Sequence, residues 1–203
     1  MGWTSMPMPY EGTTEWFKKT LTWTNDDGTT HAPLATAIVA RSEAYAAVET
    51  VKPDGTRYVW AAAFMLKYTP KDRDGYTFSY KDMDETVGPY IDRCPAKILD
   101  LLTPTEHEYA NAWRQRCRDR IALRARNKVS NGDIIKLEHA LNYGGYGAAD
   151  TFKVKMQGSK VHFVALNSET LEPRFVCRIT NWRDREFTKV EPEQAPEPPR
   201  QGM

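Results

Sequence analysis

Three carboxylates, Asp82, Asp84 and Glu85, fall within four positions of the stretch FSYKDMDETVGPY, residues 78–90, which closes on Gly88-Pro89. Divalent metals are held by several converging hard oxygen ligands, and acids two apart are one way to supply them. In an extended segment Asp82 and Asp84 share a face and Glu85 lies opposite, with Asp74 and Asp92 able to join through the fold. A hydrolase or transferase with an acidic, metal-dependent centre at these three residues is one functional expectation. A calcium loop is not, because Thr86 stands where a third Asp or Asn would follow Asp82 and Asp84. The competing reading is a turn whose acids pair with the arginines of the next helix, so no metal ligand set is assigned.

Those arginines form the second constellation. Between Arg114 and Lys128 the chain carries six Arg and one Lys against Asp119 alone, with Arg116, Arg120 and Arg124 as a ladder at spacing four. Guanidinium groups match phosphate with paired hydrogen bonds, which points to nucleic acid. A solvated helix face or arginines neutralised by acids is the plainer alternative. A third feature is NYGGYG, residues 142–147, where Tyr143 and Tyr146 alternate with glycines beside Lys153, Lys155 and Lys160. Tyrosines over a basic surface stack on unpaired bases, whereas the bland reading is a flexible hairpin loop. It is not a P-loop, since no Gly-Lys-Ser/Thr ending follows, and neither GxSxG nor HExxH occurs. No cofactor motif is legible. Cys94 falls near a predicted helix start, where a thiol's pKa is lowered, although a cysteine there is more often a buried cap.

The elements that must position these groups are readable from pattern. Thr13 or Thr14 caps a short helix with Trp16, Phe17 and Leu21 on one side. LATAIVA (34–40) and AYAAVETV (44–51) read as extended, KPDG (52–55) as a turn, and RYVWAAAFMLKY (57–68) as a strand buried on both faces. Pro95 opens a helix with Ile98, Leu99 and Leu102 inward. Thr103, Pro104 and Glu106 predict a capping box for a long helix with Tyr109, Trp113, Cys117 and Ile121 as its apolar stripe. Short alternating runs follow at 133–141, 151–156, 160–166 and 174–180.

The predicted fold is α+β, an N-terminal antiparallel sheet packed by helices and then a small SH3- or OB-like β-barrel. The expected domains are 1–127 and 128–189, with a Pro- and Glu-rich disordered tail at 190–203. Of 203 residues 40% are hydrophobic, which excludes wholesale disorder. The formal charge of +1 conceals an asymmetry. Residues 1–100 carry 11 Lys and Arg against 14 Asp and Glu, while residues 101–189 carry 16 against 10. A basic second half suits an anionic partner. Three widely spaced cysteines and the lack of a signal-like or 18-residue apolar run predict a cytoplasmic protein without a membrane partner.

The start MGWT, the strand YAAV (45–48), and above all YKDMDETVGPY followed by CPAKILDLLTPTEHEYANAWRQRC resemble an uncharacterised bacterial family found in phages, conjugative elements and their hosts. The resemblance covers roughly residues 1–125. Ser-Met-Pro-Met-Pro after MGWT departs from the aromatics expected there. What it implies is an accessory, counter-defence role without an assigned chemistry. The leading expectation is therefore an accessory protein that binds nucleic acid, or a host protein that handles nucleic acid, through Arg116, Arg120, Arg124, Tyr143, Tyr146, Lys153 and Lys155.

Overall fold

The computed structural model describes residues 4–6, 14–40, 43–68, 76–82 and 92–191. The chain divides into two compact units, Met1–Ile121 and Ala122–Met203.

The first unit is built on a six-stranded antiparallel sheet in the order β1-β6-β5-β4-β3-β2. Its strands are β1 (Thr4–Met6), β2 (Trp23–Thr24), β3 (Thr30–Ala40), β4 (Glu43–Val51), β5 (Arg57–Tyr68) and β6 (Tyr76–Asp82). β4 and β5 run in register from Glu43↔Met65 to Val51↔Arg57 around the KPDG turn, where Gly55 supplies the positive φ of 85°. Both faces of this centre are covered, which is why neither strand shows the polar alternation of a half-buried sheet. On one face Ala44, Ala46, Val48, Trp60, Ala62 and Phe64 meet Trp16, Phe17 and Leu21 of and beside α1 (Thr14–Thr20). On the other, Tyr45, Ala47, Ala61 and Ala63 seat Ile98 and Leu99 of α2 (Ala96–Leu99) and Trp113 and Cys117 of α3 (Glu108–Arg126). Small strand side chains thus receive large helical ones, and period-2 placement lets one strand serve two cores.

Two local expectations change. The capping box at Thr103 does not form, because a tertiary contact takes its groups. Thr103 Oγ1 accepts the Val59 N–H at 2.8 Å, and the Thr103 N–H donates to the Val59 carbonyl. α3 begins only at Glu108, where the Thr105 hydroxyl accepts the His107 N–H. Tyr109 is exposed, so the buried stripe starts at Trp113.

The second unit holds a five-stranded antiparallel sheet in the order β10-β9-β8-β7-β11. It comprises β7 (Ile134–Asn142), β8 (Ala148–Gln157), β9 (Lys160–Leu166), β10 (Pro173–Cys177) and β11 (Phe187–Val190). The expected SH3- or OB-like barrel is not what forms. β10 and β11 end on opposite edges and the sheet stays open. After the β7 to β10 meander the chain crosses through a 3₁₀ turn, Trp182–Asp184, and adds β11 outside β7. The inner face is covered instead by side chains of the connections. Trp182 packs edge-on against Phe163 at 5.9 Å and Tyr143 against Phe175 at 5.2 Å, over a core of Ile135, Phe152, Val154 and Phe163. Alternation is the same in a closed and an open sheet, so the pattern could not tell them apart. The last turn of α3 anchors this crossing. Arg124 pairs with Asp184 at 3.5 Å, Arg126 with Glu186, and the buried Asn127 amide donates to the Arg183 and Arg185 carbonyls.

Candidate nucleic-acid interface

β6 carries Asp82 as its last residue, opposite Ala62 of β5. Asp84 and Glu85 lie outside the described residues, as do Asp74 and the expected tail from 192 onward. Among the described residues no group of three or more His, Cys, Asp or Glu is placed to hold a metal ion. Asp92, which follows the acidic stretch, accepts from Arg116 Nε at 2.9 Å, and its carbonyl accepts from Arg120 at 3.5 Å.

Each of the six helix arginines has a partner. Arg114 donates to the Thr103 carbonyl at 2.7 Å and Arg118 to Asp100 at 3.0 Å. Arg124 and Arg126 hold the crossing described above. Such ion pairs contribute only about 0–1 kcal/mol each when exposed, yet they orient the guanidinium groups towards the protein's own acids. Cys94 and Cys117 are buried in the core beneath. Burial pushes both thiols up, Cys117 to about 12, so desolvation outweighs the nearby helix start and Cys94 is the buried residue of the plainer reading.

The tyrosine loop and the lysines occupy opposite faces of the second sheet. Tyr143 packs on Phe152 and Phe175 of the inner core, where burial and the Cys177 thiol beside it raise its phenol. Tyr146 is 69% exposed, but its ring leans on Phe175 at 5.1 Å. Arg174 fixes this corner by donating to the Tyr146 and Ala148 carbonyls, each at 2.8 Å. Lys153 and Lys155 alternate with buried Phe152, Val154 and therefore face outward.

On that outer face the register assembles a site that spacing in sequence could not reveal. Ile134 pairs with Lys153 and Lys136 with Thr151, so Lys136 is the diagonal neighbour of Lys153. Lys155 pairs with His162 and Gln157 with Lys160, so Lys160 is the diagonal neighbour of Lys155. Lys136, Lys153, Lys155 and Lys160 thus form one oblique row across β7, β8 and β9, with steps of about 7–8 Å. All four are exposed, and among the described residues none has an ion-pair partner. Lys153 is flanked by aliphatic neighbours: Ile134 and Val190 on one side, Val164 and Val176 on the other. Val176 is 67% exposed. The row has a definite rim, since Thr151 beside Lys136 is buried and the exposed Glu138 and Glu186 lie along the β7–β11 edge. Lys136 carried no motif in the sequence; only pairing brings it to the others.

A separate polar chain pins the edge of the first sheet at His31. Trp23 pairs across strands with His31, and the rings stack at 4.2 Å. The Trp23 indole donates to Asn25 Oδ1, so the Asn25 amide NH₂ faces His31 Nε2 at 3.3 Å. Nε2 must then accept, and the Nδ1–H donates to Thr50 Oγ1 at 2.9 Å, which also receives the Trp60 indole. A proton on Nε2 would face another donor. Burial also lowers the His31 pKa, opposed by Asp27 in the adjoining turn. A group depressed in the folded state contributes stability above its unfolded pKa of about 6.5 that is lost as pH falls towards the folded value. We expect the melting temperature of the first unit to drop between pH 7.5 and pH 5, and His31→Gln to remove much of that slope. An unchanged slope in calorimetry of the variant would contradict this role.

Residues 104–185 match the model of a protein family described as a domain of unknown function, DUF6927. No curated protein and no solved structure matches the chain. Within the described residues no helix is long and apolar enough to cross a membrane. The matched segment runs from the start of the α3 region to the 3₁₀ turn after β10, and so includes the lysine row.

Proposed function

We propose that this protein is a non-enzymatic nucleic-acid-binding protein that engages the phosphate backbone through the outer face of its second sheet. One observation supports this above the others, namely the row Lys136, Lys153, Lys155 and Lys160 on a single face, none of them ion-paired among the described residues. An ammonium group on a flexible stem is a mobile point charge suited to phosphate oxygens whose positions vary with sequence. The helix arginines, by contrast, would have to give up Asp92, Asp100, Asp184 or Glu186 before meeting a phosphate. An accessory role beside nucleic acid in phages and mobile elements is the setting in which such a module would act.

The test is a fluorescence-anisotropy titration of the full chain with labelled 20-mer oligonucleotides at low salt. Replacing all four lysines by glutamine should lower affinity at least 30-fold with the circular dichroism spectrum unchanged, while Arg118→Gln should change it less than threefold. Neutralising four phosphates on a single strand predicts a log–log salt slope of about −3. Full binding by the four-lysine variant, or none by the wild type at low salt, sinks the proposal.

A further inference from the structure

Resting on that reading, we infer that the ligand of the lysine row is a single, extended nucleic-acid strand rather than a duplex, with bases lying on the aliphatic residues beside Lys153. The row is one lysine wide. Across β7, β8 and β9 it advances two residues along the strands for each strand crossed, plus the Lys153–Lys155 step within β8. At about 3.4 Å per residue and 4.8 Å per strand this gives a line of roughly 20 Å. A duplex presents two backbones on either side of a groove about 6 or 12 Å wide. A protein that holds a duplex by its phosphates therefore offers cations on two lines.

Off the row this face carries Arg178, exposed and two residues beyond Val176, but a single cation does not make a second line. Where it would run on one side, the cross-strand neighbours of Lys153 are Val164 and Val176. On the other side they are Ile134 and Val190, with Glu138 and Glu186 along the edge beyond Lys136. Carboxylates there repel a second backbone. Aliphatic side chains do not bind phosphate, but they do cover the unstacked faces and edges that a single strand exposes and a duplex conceals. Val176 stays largely exposed on an edge strand, so it has no packing role that would account for its apolar character. Tyr143 and Tyr146 turn to Phe175 on the other face, and the ring on the lysine face is the half-buried imidazole of His162, opposite Lys155. Recognition is consequently carried by phosphate contacts and aliphatic cover, and is indifferent to base sequence. The sugar–phosphate strand is common to DNA and RNA.

The experiment compares the full chain binding to fluorescein-labelled dT and rU oligomers of 3, 6, 12 and 20 nucleotides and to a 20-base-pair DNA duplex, all at 50 mM salt. We expect at least tenfold tighter binding to the 20-nucleotide strands than to the duplex. Affinity should rise steeply from 3 to 6 nucleotides, once four phosphates span the row, and slowly thereafter. The dT and rU arms tell which strand is held more tightly, and either satisfies the inference. Val176→Asn should weaken strand binding about threefold or more and leave the fold intact; an unchanged affinity overturns the base contact. Equal or tighter duplex binding overturns the single-strand assignment while leaving the nucleic-acid reading standing. Absence of binding to every probe overturns both.

Discussion

Trp113→Ala is expected to destabilise the first unit by about 3–5 kcal/mol, the range for removing a buried aromatic side chain. Trp113 is fully buried, and it is the large group through which α3 enters the sheet face formed by Tyr45, Ala47, Ala61 and Ala63. Its ring lies over Tyr45 at 6.4 Å with an interplanar angle of 30°. The alanines opposite have no rotamers with which to collapse into the vacated volume, so the cavity term is retained rather than relaxed. Urea denaturation followed by circular dichroism measures the change, and Trp113→Phe should lose less than half as much. A loss under 1 kcal/mol for the alanine variant would show that α3 is held by something other than this ring.

Glu43→Ala is the second large effect, expected at about 2–3 kcal/mol from an orphaned buried donor and a broken, mostly buried ion pair. The Glu43 carboxylate is only 5% exposed at the start of β4. It accepts the Tyr45 hydroxyl at 2.7 Å and Arg93 Nη1 at 3.4 Å, while the Arg93 N–H donates to the Tyr45 oxygen at 3.3 Å. Burial first, and the carboxylate next, push the Tyr45 phenol far up, so it remains a donor at any physiological pH. Removing the carboxylate strands that donor in a site that water does not reach, whereas Arg93, 35% exposed, can turn to solvent. Glu43→Ala combined with Tyr45→Phe should therefore cost less than the sum of the two single changes. Strict additivity in denaturant titrations would refute a direct coupling between them.

The extent to which the sequence disclosed this arrangement follows the range of each interaction. The hairpin at KPDG, the two-faced burial of β5 and the inward Trp16, Phe17 and Leu21 were legible, because turn chemistry and hydrophobic spacing are local. The start of α3 was not, since the Thr103 hydroxyl is claimed by Val59, 44 residues away. The open second sheet was missed for a related reason. Its closure depended on where β11 returns, and a four-residue strand beside a 3₁₀ turn leaves little periodic signal. Lys153, Lys155 and Lys160 were singled out beside the tyrosine loop, but joining them to Lys136 in one row required the register of three strands. The helix arginines looked available only because their acidic partners, Asp92, Asp100, Asp184 and Glu186, are remote in sequence.

The alternating alanines of β4 and β5 have a consequence for how the first unit melts. Ala44, Ala46 and Ala62 belong to the cluster under α1, and Ala47, Ala61 and Ala63 to the one under α2 and α3. Because successive residues of the same strands line both clusters, neither can loosen its strand without shifting the other's lining. The two clusters are thus walls of one partition, and loss of either helix layer removes the support on which the opposite layer rests. Such sharing favours all-or-none unfolding of the first unit over stepwise loss of its layers.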